Sequence, residues 1–196
     1  MTMNAYDFDK TIYRRDCSVT FYLWCVRHYP RIALRWPRLA CDAALYGMKR
    51  ITKHVFMERL YQYLHDVPDV SAEVERFWDK NEDDVHVWYK KAWRLDDLII
   101  SASPDFLVRP AAARLGVRRV LASPLNPATG LYEGERCHGE GKVRMLNAAY
   151  PGAQIEAFYS DSLSDAPMAR IAEKAYLVHG EQLSDWPKNE DGGYEG

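Results

Sequence analysis

The chain lacks most of what would tie it to a lipid bilayer interior, to nucleic acid or to an oxidising compartment. Among 196 residues there are four cysteines, Cys17, Cys25, Cys41 and Cys137, and no two form a CxxC pair. Such usage reads as reduced thiols of a cytoplasmic protein. Cys137 adjoins His138, but no second ligand pair stands at a zinc-binding spacing, so zinc is not expected. No apolar run approaches the ~20 residues of a membrane span. Asp7 and Asp9 interrupt the N-terminus before any apolar stretch, so no signal peptide is expected. The net charge is −2, so no global field draws the chain to nucleic acid. There are no internal repeats.

What remains is ordinary for a globular protein: 47% hydrophobic and 28% charged residues. The length allows one good-sized core, or a core with a small second domain. The charge is unevenly spread. Between Arg14 and Arg59 stand ten Lys or Arg against three acids. Between Asp66 and Asp97 stand ten acids and five bases. The bland account is solvated helix faces that pair with each other; the sharper one is a basic face that meets an anionic partner.

Residues 3–7 read as a short buried strand. Residues 16–92 then show apolar positions at helical spacing, punctuated by Pro30, Pro37, Gly47 and Pro68, and predict about four helices. From residue 95 the pattern changes. Strands at 97–100, 117–123, 155–160 and 175–180 alternate with helices at 104–116, 139–152 and 164–175. "NPATGLYEGE" (126–135) has hairpin chemistry. This alternation predicts an α/β fold with a doubly wound parallel sheet. Its first strand is cut off from the rest by an inserted helical block. The expected division is a sheet domain of residues 1–14 and 94–186, a helical block of 15–93, and a disordered tail of 187–196.

Open parallel sheets bind ligands at the carboxyl ends of their strands. Here those ends carry Asp7 and Asp9, Ser101, and Asp161 with Asp165 four residues on. Lys142 begins the helix before the last of these strands. Like charges this close are costly unless a cation or a proton offsets them. A helix cap could use one of the acids, but not the whole set.

With "DFDKT" (7–11), the serine of "IISAS" (101), the lysine of "GEGK" (142) and the acids of "YSDSLSD" (161 and 165) in this order, the chain resembles the haloacid dehalogenase superfamily. Within it, the likeness is to the phosphoserine-phosphatase-like subclass, and it spans residues 3 to about 180. The resemblance implies a Rossmann-like core under an all-helical cap, and hydrolysis of a phosphomonoester with Mg²⁺. Asp7 would be the nucleophile that becomes an aspartyl phosphate. Asp9 would be the acid and base, and Ser101 and Lys142 would hold the phosphoryl oxygens. Asp7, the Asp9 backbone carbonyl, Asp161 and Asp165 would hold the metal.

The substrate stays open. Asp16 stands where the subclass has a cap acid that meets substrate, and it could equally cap a helix from Cys17. Arg59 and Ser103 are further substrate-binding candidates. A small soluble phosphorylated metabolite is one reading. A phospholipid head-group phosphatase of the phosphatidylglycerophosphate type is the other, because "RHYPRIALRWPRLA" (27–40) suits an anionic membrane surface. A catalytically inactive binding protein on the same fold is the alternative of another class. A signalling receiver domain shares the residue types but fails on their order.

Overall fold

The structure is a computed structural model, and it describes residues 1–189, 193 and 194. Strand β1 (Thr2–Tyr6) is buried at four of five positions because it lies at the centre of a sheet. The chain then leaves the sheet for the helical block. Helices α1 (Cys17–His28), α2 (Trp36–Gly47), α3 (Lys53–Tyr61), α4 (Val70–Asn81) and α5 (Val87–Ala92) follow, with 3₁₀ turns at Pro30–Arg35 and Gln62–Asp66. Side chains define several of the starts. Asp16, Thr52 and Asp69 accept the Val19, Val55 and Ala72 amides at the N-termini of α1, α3 and α4.

The sheet resumes with β2 (Leu98–Pro104), α6 (Asp105–Arg114), β3 (Arg119–Ser123) and a short hairpin of β4 (Leu125–Asn126) and β5 (Leu131–Tyr132). Then come α7 (Glu140–Ala149), β6 (Gln154–Ser160), α8 (Ala166–Ile171), β7 (Ala172–His179) and β8 (Gln182–Asp185). The six-stranded order is β3-β2-β1-β6-β7-β8, parallel except for β8. The connections leave β1 toward β2 on one side, and β6 returns on the other. The gap between β1 and β6 is therefore the switch point, where such sheets bind ligands.

Two apolar layers cover the sheet. Met3, Ala5, Ile155 and Phe158 pack with Leu146 of α7 and Met168 of α8 on one face. On the other, Tyr6 and Ile99 join Leu107 and Val108 of α6 and then Phe21, Phe77 and Trp78 of the inserted helices. α1 and α4 thus share the sheet's own core.

Three local expectations differ. The helix expected over 164–175 stops at Ile171, and Ala172 begins β7. Its buried residues Ala172, Ala175 and Val178 stand three apart and imitate a helical stripe. β8 was not foreseen, because all four of its residues are exposed and carry no alternation. The inserted block has five α-helices rather than four. In the tail expected to be disordered, Lys188 bridges to Tyr194, which packs on the apolar layer of Met3 and Phe158. Residues 190–192, 195 and 196 lie outside the described residues.

Candidate active site

The loop after β1 is built to hold two acids apart. The Asp7 amide still donates to Tyr159 O at 2.8 Å, continuing the β1–β6 pairing. Lys10 then takes φ 57°, a left-handed conformation rare for a side-chain-bearing residue. The Ile12 and Tyr13 amides both donate back to Phe8 O at 2.9 Å. Thr11 is fully buried, and its Oγ1 accepts the Asp161 amide at 2.9 Å, tying this loop to the end of β6.

Lys142, on the first turn of α7, is 1% exposed. Its Nζ donates to Asp7 Oδ1 at 2.7 Å and to Asp165 Oδ2 at 2.6 Å. Ser160 Oγ donates to the same Asp165 oxygen at 2.8 Å. Burial pushes the Asp7 carboxyl up, the Lys142 ammonium pulls it back only in part, and with Asp165 and Asp9 also raising it the carboxyl stays well above the usual carboxylate range. Burial pulls the Lys142 ammonium down, but its two carboxylates outweigh this and hold it charged.

Asp9 turns elsewhere. Its Oδ1 accepts the Cys17 amide at 2.7 Å and its Oδ2 accepts Ser103 Oγ at 2.5 Å. Burial, aided by Asp16, pushes it up to about 6 despite those donors. Behind Ser103 runs a hydroxyl chain: Ser103 to Ser18 at 2.9 Å, and Tyr61 OH to Ser18 at 3.2 Å. The helical block thus reaches the acid through Cys17, Ser18 and Tyr61.

A cavity of about 670 Å³ opens between this rim and the inserted helices. Asp7, Asp9, Asp16, Ser103, Lys142, Asp161 and Asp165 all line it. Asp16 caps α1 and also lines the cavity. Ser101 lies beneath the wall, 1% exposed, its Oγ accepting the Ser103 amide at 3.1 Å. Arg59 is not brought to this cavity. It pairs with the buried Asp42 beside a smaller one, because its place on α3 turns it toward α2.

Sequence reading missed Lys53, Ser18, Tyr61, Arg136 and His138, which line the same cavity. The available signal was position: Arg136 and His138 immediately precede the "GEGK" turn that delivers Lys142.

Among the described residues, no three His, Cys, Asp or Glu side chains form a metal cluster. Lys142 Nζ stands between Asp7 and Asp165 instead. The donors still suit a hard cation. The carboxylates of Asp7, Asp161 and Asp165 face one cavity, all oxygen, with the Lys142 ammonium shared between two of them. Burial, then Asp165, pushes Asp161 up, and Lys10 opposes this. More positive charge than one ammonium would relieve the set.

A buried lysine and paired acids at the switch point of a doubly wound sheet define an α/β protein that handles an anion there. The chain belongs to the haloacid dehalogenase-like hydrolases, whose family profile matches residues 5–170. Among its relatives, Protein CicA of Caulobacter vibrioides is 29% identical over 192 residues, covering 89% of this chain and 85% of that one. "Probable phosphatase Rv3661" of Mycobacterium tuberculosis is 35% identical over 91 residues, covering 43% and 32%. A phosphoserine phosphohydrolase-like protein of Francisella tularensis shares the fold, with TM-score 0.57, 14% identity, and 92% and 88% coverage. The fold is therefore that of the phosphoserine-phosphatase-like members, with an inserted helical cap.

Proposed function

We propose that the protein is a Mg²⁺-dependent phosphomonoester hydrolase that acts through an aspartyl phosphate on Asp7. The carrying observation is the division between its two neighbouring acids. Asp7 accepts from the buried Lys142 ammonium, while Asp9 accepts from Ser103 Oγ and the Cys17 amide. Two carboxylates whose surroundings set them apart suit a nucleophile and an acid. The phosphatase named among the relatives supports the reading.

In this reading residues 1–14 and 94–186 are the catalytic core and 15–93 the cap. Asp7 attacks phosphorus, and Lys142 holds a transferring oxygen and offsets the charge on Asp7. Ser101 is placed for the phosphoryl group by resemblance, and Ser103 orients Asp9. Asp9 gives its proton to the leaving alkoxide and takes one from the attacking water. Asp7, Asp161 and the Asp9 carbonyl would hold Mg²⁺, with Asp165 beside them. The bound ion would offset the charge of the phosphate dianion against the nucleophile.

The substrate is a small phosphorylated metabolite. A specific observation favours a second reading, a phospholipid head-group phosphatase at a membrane surface. Leu34, Trp36 and Met48 are 80%, 52% and 62% exposed, on the part of the cap where Arg31, Arg38, Lys49 and Arg50 are exposed too. The test of either is Mg²⁺-dependent phosphate release from 4-nitrophenyl phosphate and a panel of phosphomonoesters. Turnover that Asp7→Asn abolishes supports the reading. Substrate binding with no turnover would leave the inactive binding protein in its place.

A further inference from the structure

Many of this protein's arginines face an acid. Arg14, Arg15, Arg35, Arg59, Arg94, Arg114 and Arg144 each have a carboxylate within ion-pair distance. Three basic residues of the cavity wall have no such partner. Lys53, Arg136 and His138 line it together, and among the described residues none of the three is in an ion pair.

The carboxylates that could serve them are turned away. Glu135 is held by Arg144 at 3.0 Å. Glu58 accepts the Tyr132 amide at 3.2 Å and pairs with His54 at 3.3 Å. Arg136 lies over the Tyr132 ring, 5.4 Å from its centroid, and its Nε is buried with no hydrogen-bond partner. The crowding costs both neighbours. Partial burial and then Arg136 push Lys53 down. Burial, then Lys53 and Arg136, push His138 down.

The backbone ties this wall to the turn that carries Lys142. The His138 amide donates to Arg136 O at 2.9 Å, and the Gly141 amide to His138 O at 3.0 Å. A Cβ on Gly141 would meet Arg136 O at 2.3 Å, so only glycine permits the turn. The same turn therefore delivers Arg136, His138 and Lys142, while Lys53 comes across from the start of α3. Two cations without an ion-pair partner, Lys53 and Arg136, with the His138 imidazole beside them and a site that already holds its own lysine, suit a second negative group.

We propose that Lys53, Arg136 and His138 form a second anion subsite, which binds a carboxylate or a phosphodiester carried by the substrate apart from its scissile phosphate. This rests on the phosphomonoesterase reading and narrows its substrate class. Plain alkyl or aryl phosphates are then poor substrates, and so are esters whose only other charge is an ammonium.

The test uses the full chain with Mg²⁺ and matched esters: phenyl phosphate, 4-carboxyphenyl phosphate, and a phenyl phosphate bearing a methyl phosphodiester. At least one doubly anionic ester should exceed phenyl phosphate tenfold or more in kcat/KM, mainly through KM. Which of the two does so identifies the anion. Lys53→Gln and Arg136→Gln should each pull that ratio toward one, and Arg136→Lys should restore part of it. A wild-type ratio near one, or an unaltered ratio in both glutamine variants, would overturn the subsite. Calorimetry with the uncleavable phenylphosphonate and its 4-carboxy and phosphodiester-bearing analogues reads binding without turnover. A preference for a doubly anionic phosphonate with no hydrolysis of any ester would support the subsite while overturning the phosphatase. No such preference would overturn the subsite alone.

Discussion

Lys142 Nζ donates to Asp7 Oδ1 at 2.7 Å across 135 residues of chain. Both side chains are buried, and Asp165 shares the ammonium. Removing the lysine leaves two carboxylates facing each other with no cation. Breaking a buried pair from one side costs on the order of 3–5 kcal/mol. Lys142→Ala should therefore lose both activity and stability, read by urea denaturation beside phosphate release. Asp7→Asn should lose activity alone, because the amide oxygen still accepts from Lys142. Residual activity of Asp7→Asn within tenfold of wild type would refute Asp7 as the nucleophile.

The second expectation concerns proton transfer. Asp9 is held by Ser103 Oγ at 2.5 Å and the Cys17 amide at 2.7 Å. Asp9→Asn should slow alkyl phosphates far more than 4-nitrophenyl phosphate, whose leaving group needs no proton. Ser103→Ala frees one Asp9 oxygen and should act in the same direction, more weakly. Equal losses on both substrates would assign Asp9 to the metal or the fold.

Metal dependence gives the third. EDTA should stop turnover and Mg²⁺ restore it. Asp161→Ala should raise the Mg²⁺ concentration for half-maximal rate by at least tenfold, since it removes one of few oxygen donors. Undiminished turnover after exhaustive chelation would exclude the mechanism.

Away from the site, Asp97 governs a pH dependence. It is fully buried, its Oδ1 lacks a hydrogen-bond partner, and its Oδ2 accepts the Arg94 amide at 2.6 Å. Burial pushes it up to about 6. The folded state therefore holds this proton more tightly than the unfolded chain. Stability from Asp97 is full below about pH 4 and is lost as pH rises through 6, a change on the order of 3 kcal/mol. Asp97→Asn keeps an acceptor for Arg94 and removes the charge. It should stabilise the protein at pH 7.5 and not at pH 4. Equal shifts at both pH values in denaturant melts would contradict this.

The candidate site residues were legible because each stands beside a strand end or helix start that the apolar pattern marks. Asp7 and Asp161 stand out by that placement, whereas Ser101 and Lys142 were singled out only by the order of the whole set. Arg59 misled for the opposite reason. Whether a helix residue faces the cavity or its neighbour depends on how α2 and α3 pack, and Asp42 draws Arg59 away. Arg136 and His138 were invisible as a pair with Lys53, since 83 residues of chain separate Lys53 from Arg136. β8 escaped because an edge strand with every residue exposed carries no apolar period.

The last expectation tests the surface of the cap. Leu34, Trp36 and Met48 stand exposed near the basic residues Arg31, Arg38, Lys49 and Arg50. An apolar and basic surface of this kind binds anionic bilayers through side-chain burial plus charge. If it docks there, the protein should co-sediment with vesicles containing anionic lipid, and not with neutral ones. Arg31→Glu, Arg38→Glu and Arg50→Glu combined should abolish co-sedimentation. Salt should weaken it steeply, because surface charges are screened within ~8 Å at physiological ionic strength. Trp36→Ser should weaken it with little change in salt dependence, since it removes apolar contact and no charge. Co-sedimentation of neither wild type nor variant with anionic vesicles would dismiss the lipid head-group reading. The substrate would then be a soluble metabolite.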